Sequence, residues 1–332
     1  MSISSTGTYI LRRLGTGLVT LLIASFLVYF ATAALPGDVA QQLLGQDATE
    51  EALAAMREDL GIEQSVWLGY LSWLSGILTG DFGSSLVSEE PVAGMVFAAF
   101  GNTLLIAVPA ILLGITLSVA LGVIAAVRRG KAADSGISLS TLVAMSIPEF
   151  VVATLLVLVF AIALPVFPAV VLSGAEAGIG DLLPAIWLPI VTLVLAMAAY
   201  IVRATRSSTI DTLAGEFSRT AELKGLRRRH VLIRHVVPNA LLPVLPVIAI
   251  NIAWLMGGVV VVETIFNYPG MGAVMIDSVS TRDLPVLQAI ALITAVVYVV
   301  ANLAADLLSM LIDPRQRRTA SAPAKTPEEA AR

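Results

Sequence analysis

NTLLIAVPAILLGITLSVALGVIAAV, residues 102–127, carries no charged side chain and is followed at once by Arg128, Arg129 and, one glycine later, Lys131. Roughly 20 apolar residues in a helix cover the hydrocarbon core of a bilayer. This stretch is long enough to cross, and the basic cluster holds one of its ends at the face where lysine and arginine collect.

Five more segments read the same way: residues 14–35, 141–164, 182–202, 236–262 and 284–305. All are free of charge except 141–164, which Glu149 interrupts. Across the 332 residues, 57% are hydrophobic and 13% charged, with a mean hydropathy of +0.89, outside the usual balance of a water-soluble domain. The expected fold class is an all-α polytopic membrane protein with six transmembrane helices.

Orientation follows from the basic residues. Arg12 and Arg13 precede the first span, a dense group from Arg203 to Arg234 lies between spans four and five, and Arg315, Arg317 and Arg318 follow span six. A six-span arrangement with both termini cytoplasmic puts 18 of the 20 lysines and arginines on one face or beyond it, leaving Arg57 and Arg282 outside. The organisation expected is a cytoplasmic N-terminus (1–13), a first span (14–35), an extracytoplasmic helical segment (36–101), a permease core (102–318) with a cytoplasmic loop at 203–237, and a disordered cytoplasmic tail (319–332) of Ala, Pro, Thr and charge. Arg12 and Arg13 before an apolar run ending Ala31-Thr32-Ala33 also imitate a secretory signal, whose core is about 7–15 residues; the 22 residues here favour a retained span.

The external segment is acidic, with ten carboxylates against one basic residue between positions 36 and 101. Asp47 and Glu50 fit a capping box opening a short helix to about Asp59, ended by Gly61. Trp67, Tyr70, Leu71, Leu74, Ile77 and Leu78 recur at helical spacing, which predicts an interfacial helix with its aromatics at the lipid headgroups; substrate contact is the other reading of Trp67 and Trp73. A Gly80-Asp81-Phe82-Gly83 turn follows.

Several chemistries find no support. The chain has no cysteine, so disulfides and thiolate metal sites do not arise. No G-x-x-x-x-G-K-[ST] phosphate cradle is present. The two histidines, His230 and His235, sit in the basic loop far from Ser84 and Ser85, which leaves no serine-protease constellation and makes them ordinary solvated residues rather than ligands. Neither a metal site nor a nucleic-acid partner is expected.

Polar groups inside a span are expensive and default to functional readings. Pro148 lacks an amide proton and should kink span three. Ser146, Pro148 and Glu149 therefore mark a break that can face a water-filled path; packing against a neighbouring helix is the alternative. Glu263, at the outer end of span five, lines the exit of such a path or simply lies at the interface. Asn251 is a further path candidate, although with Asn302 and Asp306 it also fits interhelical hydrogen bonding or the inner interface. In the loop, Phe217 to Lys224 predicts a helix, Gly225 a left-handed stop and 226–237 a second helix leading into span five: a compact cytoplasmic knob.

That knob resembles the coupling loop of the integral-membrane subunits of bacterial ABC importers, whose pattern is E-A-A, three residues, G, nine residues, I-x-L-P. Arg219, Thr220 and Ala221 take the first places, Gly225 the glycine, and Pro238 closes it; Arg219 replaces the acid and His235 the isoleucine. The run Arg219-Thr220-Ala221-Glu222-Leu223-Lys224-Gly225-Leu226 is similar to the R-T-A-x-x-K-G-L of the dipeptide and oligopeptide branch. Other motifs fall in the same order as in that branch: Leu35-Pro36-Gly37-Asp38, Leu60-Gly61-Ile62, Gly80-Asp81-Phe82-Gly83-Ser84-Ser85, Ser146-Ile147-Pro148-Glu149-Phe150, Glu263-Thr264-Ile265-Phe266 with Pro269-Gly270-Met271-Gly272, and Asp313-Pro314-Arg315.

The resemblance implies a type I importer permease of the bacterial inner membrane, one half of a path for peptides or related solutes. Its implied partners are a second homologous permease, two cytoplasmic ATPases, an external solute-binding protein and membrane lipid. The chain itself would bind no cofactor, ATP and Mg residing on the ATPases. Phe217, Arg219, Thr220, Ala221, Glu222, Lys224 and Gly225 would form the coupling helix, with Pro238 behind it. The competing reading is a self-sufficient secondary transporter driven by an ion gradient through Glu149.

Overall fold

A computed structural model describes residues 3–34, 48–59, 65–171 and 178–312. The motifs at 35–38, 60–62 and 313–315, the Asp47 cap, the Gly61 stop and the tail from 319 lie outside the described residues. The helices are α1 (Ile3–Ala33), α2 (Glu50–Asp59), α3 (Val66–Thr79), α4 (Val92–Val127), α5 (Ala132–Ser146), α6 (Glu149–Val157, widening into a π-helical stretch Leu158–Ala163), α7 (Ile179–Leu182), α8 (Trp187–Ala214), α9 (Glu216–Leu223), α10 (Arg228–Val231, with a π-helical stretch Leu232–Val236), α11 (Val237–Leu241), α12 (Leu245–Ile265), α13 (Met271–Thr281) and α14 (Leu284–Ile312). Among the described residues the only extended pairing is an isolated bridge between Ser84 and Pro91.

Among the described residues five helices are long and apolar enough to cross a membrane: α1, α4, α8, α12 and α14. The sixth expected span is broken. Pro148 withholds an amide and pushes Ile147 into extended backbone (φ −99°, ψ 122°), so α5 stops at Ser146 and α6 starts afresh at Glu149, bent by 102°. The expected kink is thus closer to a right angle, and α5 with α6 makes one broken or re-entrant span. Span five is also shorter than the uncharged run at 236–262. Pro243 and Pro246 have no N–H to continue a ladder, so α11 ends at Leu241 and α12 opens at Leu245 with proline in its first turn. At the start of α2 the Thr49 hydroxyl accepts the Ala52 amide at 3.3 Å.

Helix α8 is the centre of the bundle, packed on α4, α12, α5 and α6. Along α4 the buried positions Ala99, Thr103, Ala107, Ala110, Gly114, Ser118, Gly122 and Ala126 recur every three or four residues. This stripe of small side chains lets two helix backbones approach closely, a packing on which membrane helices depend because lipid supplies no hydrophobic drive between them. At Gly122 a β-carbon would stand 2.6 Å from Thr205 Cβ and 2.8 Å from the Val202 carbonyl. Ile106, Leu193, Met197, Ile201, Leu255 and Val259 fill the space where α4, α8 and α12 meet.

Helix α1 packs on α14 and α3 at the edge, leaving Leu18, Ile23 and Leu27 more than half exposed, as suits side chains solvated by acyl tails. An Arg13–Asp306 ion pair at 2.9 Å ties α1 to α14. Phe26, Tyr29 and Phe30 of α1 stack against Trp67, Tyr70 and Trp73 of α3 with ring centroids 5.0–6.1 Å apart. The aromatic face of α3 is therefore turned onto α1, while Trp67 remains 62% exposed and Leu78 80%. Gly80 ends α3 in the left-handed conformation (φ 86°) and the Asp81 side chain accepts the Gly83 amide at 2.9 Å, forming the expected turn.

Candidate functional site

Helix α8 runs into the knob. After Gly215, α9 makes two turns, and Gly225 adopts φ 78° while Leu226 N–H returns to the Ala221 carbonyl at 3.4 Å. That bond is a Schellman-type helix end, which requires a left-handed residue. The space around Gly225 is open, so backbone conformation rather than crowding calls for glycine there. Ala221 then packs with Val231 and Val236 in a small core of its own, flanked by Leu213 and Leu232.

The opposite side of α9 faces outward: Thr220 and Lys224 are exposed, and Leu223 is 81% exposed. Phe217, Arg219 and Glu222 lie along the same helix. Pro238 is exposed in the first turn of α11. The His230 and His235 rings are 5.9 Å apart, and among the described residues no cluster of three metal-ligating side chains exists.

A cleft of about 780 Å³ opens along the broken span. Its walls come from α5, α6 and the Leu195–Tyr200 face of α8, with Trp254 of α12 at one side. Ser146, Pro148 and Glu149 line it. Ser146 bonds back to the Leu142 carbonyl at 2.9 Å. Glu149 is half-buried, and its Oε2 has no hydrogen-bond partner among the described residues. The carboxylate reaches α12 because Gly258 stands there; a β-carbon at 258 would lie 2.8 Å from Oε2.

Asn251 and Glu263 do not line the cleft. Asn251 donates to Val247 in its own helix at 2.8 Å, and Asn302 to Tyr298 at 2.9 Å, so neither makes the expected interhelical bond through its amide nitrogen. Glu263 is fully buried. Its Oε1 accepts the Thr103 hydroxyl at 2.6 Å, and its Oε2 accepts the amides of Gly272 at 2.6 Å and Ala273 at 3.2 Å. Thr103 in turn accepts the Met271 amide at 2.8 Å, and across the same corner the Tyr268 hydroxyl donates to the Asn102 carbonyl at 2.8 Å while the Asn102 side-chain amide donates to the Pro269 carbonyl at 2.9 Å. Glu263 thus satisfies the first amides of α13, which have no carbonyl of their own helix to bond. This corrects both earlier readings of it: the residue is neither at an open exit nor at a wetted interface. Gly270 and Gly272 are glycine because a β-carbon at either would press on that carboxylate.

Sequence reasoning missed several partners. Asp283 receives the Ser85 hydroxyl and, at 3.3 Å, the Leu86 amide, locking the Gly80–Ser85 motif to the start of α14. Asp134 and Arg206 form a bidentate pair at 2.6 and 2.8 Å between α5 and α8. Their separations along the chain, 198 and 72 residues, give no local signal. Nothing in the run from Arg219 to Leu226 signals that the apolar Leu223 stands exposed.

Two families match. Residues 118–318 match the one described as "Binding-protein-dependent transport system inner membrane component", and residues 7–120 match the corresponding N-terminal family of membrane components. The chain is 34% identical over 311 residues to a probable peptide ABC transporter permease protein, y4tP, of Sinorhizobium fredii, covering 94% of this chain and 99% of that one. It is also 34% identical to the glutathione transport system permease protein GsiC of Escherichia coli K12, over 309 residues, 93% of this chain and 98% of that one.

Proposed function

The chain belongs to the binding-protein-dependent transport system inner membrane component family, and we propose that within an ATP-driven importer it forms one half of the path for a peptide-like solute. It is an ABC importer permease of the inner membrane, not a self-sufficient ion-driven carrier. The solute class is inferred from relatives described as serving peptides and glutathione. The second half of the path would come from a homologous permease, the solute from an external binding protein, and the energy from two ATPase subunits that hold ATP and Mg.

The observation that carries the proposal is the knob. A two-turn helix is held by its own small core and its glycine end, and it presents Leu223, Lys224 and Thr220 outward. An exposed leucine beside polar side chains suits insertion into a groove of another protein. ATPase closure would then push α9 and, through α8, rock the bundle around the cleft at Glu149. Both termini would be cytoplasmic, on the side of the knob, and the aromatic α1–α3 corner would sit against lipid at the opposite face.

The test is copurification. With companion subunits coexpressed, wild-type chain should bring down ATPase, and Ala221→Asp, which buries a carboxylate in the knob core, should lose it. Retention of full ATPase by that variant would refute the docking.

A further inference from the structure

The knob is continuous with α8, which supplies one wall of the cleft, while the other walls are α5 and α6; a displacement of the knob reshapes the cleft according to how firmly α5 is held to α8. We propose that the Asp134–Arg206 pair is the joint between the two: a rigid grip by which displacement of the knob is delivered to the broken span. The proposal rests on the docking function assigned to the knob above.

The geometry is specific. Arg206 Nε donates to Asp134 Oδ1 at 2.6 Å and its terminal nitrogen donates to Oδ2 at 2.8 Å, a two-point fork that fixes orientation as well as distance. The same carboxylate accepts the Gly130 amide at 3.0 Å, in the left-handed turn that joins α4 to α5 (Gly130 φ 75°), and faces the Ser138 hydroxyl at 3.4 Å. Its side chain is only 7% exposed and that of Arg206 30%. Asp134 thus gathers the turn, the first turn of α5 and α8 at one point. Arg206 stands eight residues before the end of α8, about 12 Å at 1.5 Å per residue. From Asp134, α5 leads straight to the break at Ile147–Pro148 and to Glu149. Near that end Arg203 approaches the Met145 sulfur at 3.5 Å, a weak contact that cannot replace the fork. Coupling of this kind needs a connected element that both ends bias, and the pair supplies it.

Because the chain has no cysteine, thiols introduced at Leu142 on α5 and Val87 outside can be spin-labelled, in a complex whose companion subunits are also cysteine-free. The distance between the labels is measured without nucleotide and after trapping with ATP and vanadate. In wild type it shifts. In Asp134→Asn and in Arg206→Gln the ATPases should remain bound and turn over ATP within about twofold of wild type, while the shift falls to less than about half; the double variant should be no worse than either single, as expected of one interaction removed twice. A full shift in the single variants, additive losses in the double variant, or loss of the ATPases would each overturn the proposal. If the wild-type distance itself ignores nucleotide while the ATPases stay bound and active, this proposal is overturned and the docking function stands; if the wild-type chain binds no ATPase, the docking function has failed and takes this proposal with it.

Discussion

Glu263 gives the sharpest quantitative prediction because its partners are all on the chain. Alanine there strands the Thr103 hydroxyl and the Gly272 amide in a buried corner and the Ala273 amide at its half-buried edge. A buried donor without a partner costs about 1–3 kcal/mol. The hydroxyl can rotate toward another acceptor and the 3.2 Å Ala273 bond is the weakest, so about two groups carry the loss, and with the vacated volume Glu263→Ala should cost about 3–5 kcal/mol. Glutamine behaves differently. Its oxygen can still accept Gly272 N–H while its amide donates to Thr103 Oγ1, which has a second lone pair beside the one taken by Met271 N–H. Glu263→Gln should therefore cost only about 1–2 kcal/mol. Reversible unfolding in mixed micelles, where 1.4 kcal/mol is tenfold in population, resolves the two. Equal damage from Gln and Ala would refute the capping account. So would a Gln variant of wild-type stability that had lost transport, since that result would restore Glu263 to the path.

The small-residue stripe predicts an asymmetry between two glycines of α4. Gly122→Ala meets backbone and a β-branched neighbour, so overpacking of about 1–3 kcal/mol should outweigh the gain of about 1 kcal/mol in helix propensity; the same unfolding assay should show net destabilisation. Gly114→Ala meets only the flexible Met197 side chain, its β-carbon 2.7 Å from Sδ, and should be near neutral, within about 1 kcal/mol. At the knob, Gly225→Ala must hold φ 78°, at about 1–2 kcal/mol, whereas asparagine tolerates that region; ATPase affinity measured by titration should fall about 5–30-fold for Ala and much less for Asn.

The sequence made the membrane spans legible because hydropathy is local: every uncharged run became helix over most of its length, and Pro148 announced the break. The size of the bend was not legible, since it depends on what α5 and α6 pack against. The knob was readable for the same local reason, a helix-forming run followed by a glycine whose left-handed role is conformational. Glu263 was misread because position along a span says how deep a carboxylate lies but not what it meets, and its main partner Thr103 is 160 residues away. The Asp134–Arg206 fork and the Ser85–Asp283 lock were invisible for that reason too. Asn251 shows a related limit, because an amide in a span reads as interhelical until its own helix offers a carbonyl four residues back.

The central claim is that the α9 knob is where ATPase subunits engage this permease. A photocrosslinking side chain placed at Leu223, 81% exposed on the knob, is compared with one at Leu78, 80% exposed at the far end of α3. In the assembled complex the account predicts ATPase adducts from position 223 and none from position 78. Adducts from position 78 to the ATPase, or none from position 223 in a complex that hydrolyses ATP, would contradict it.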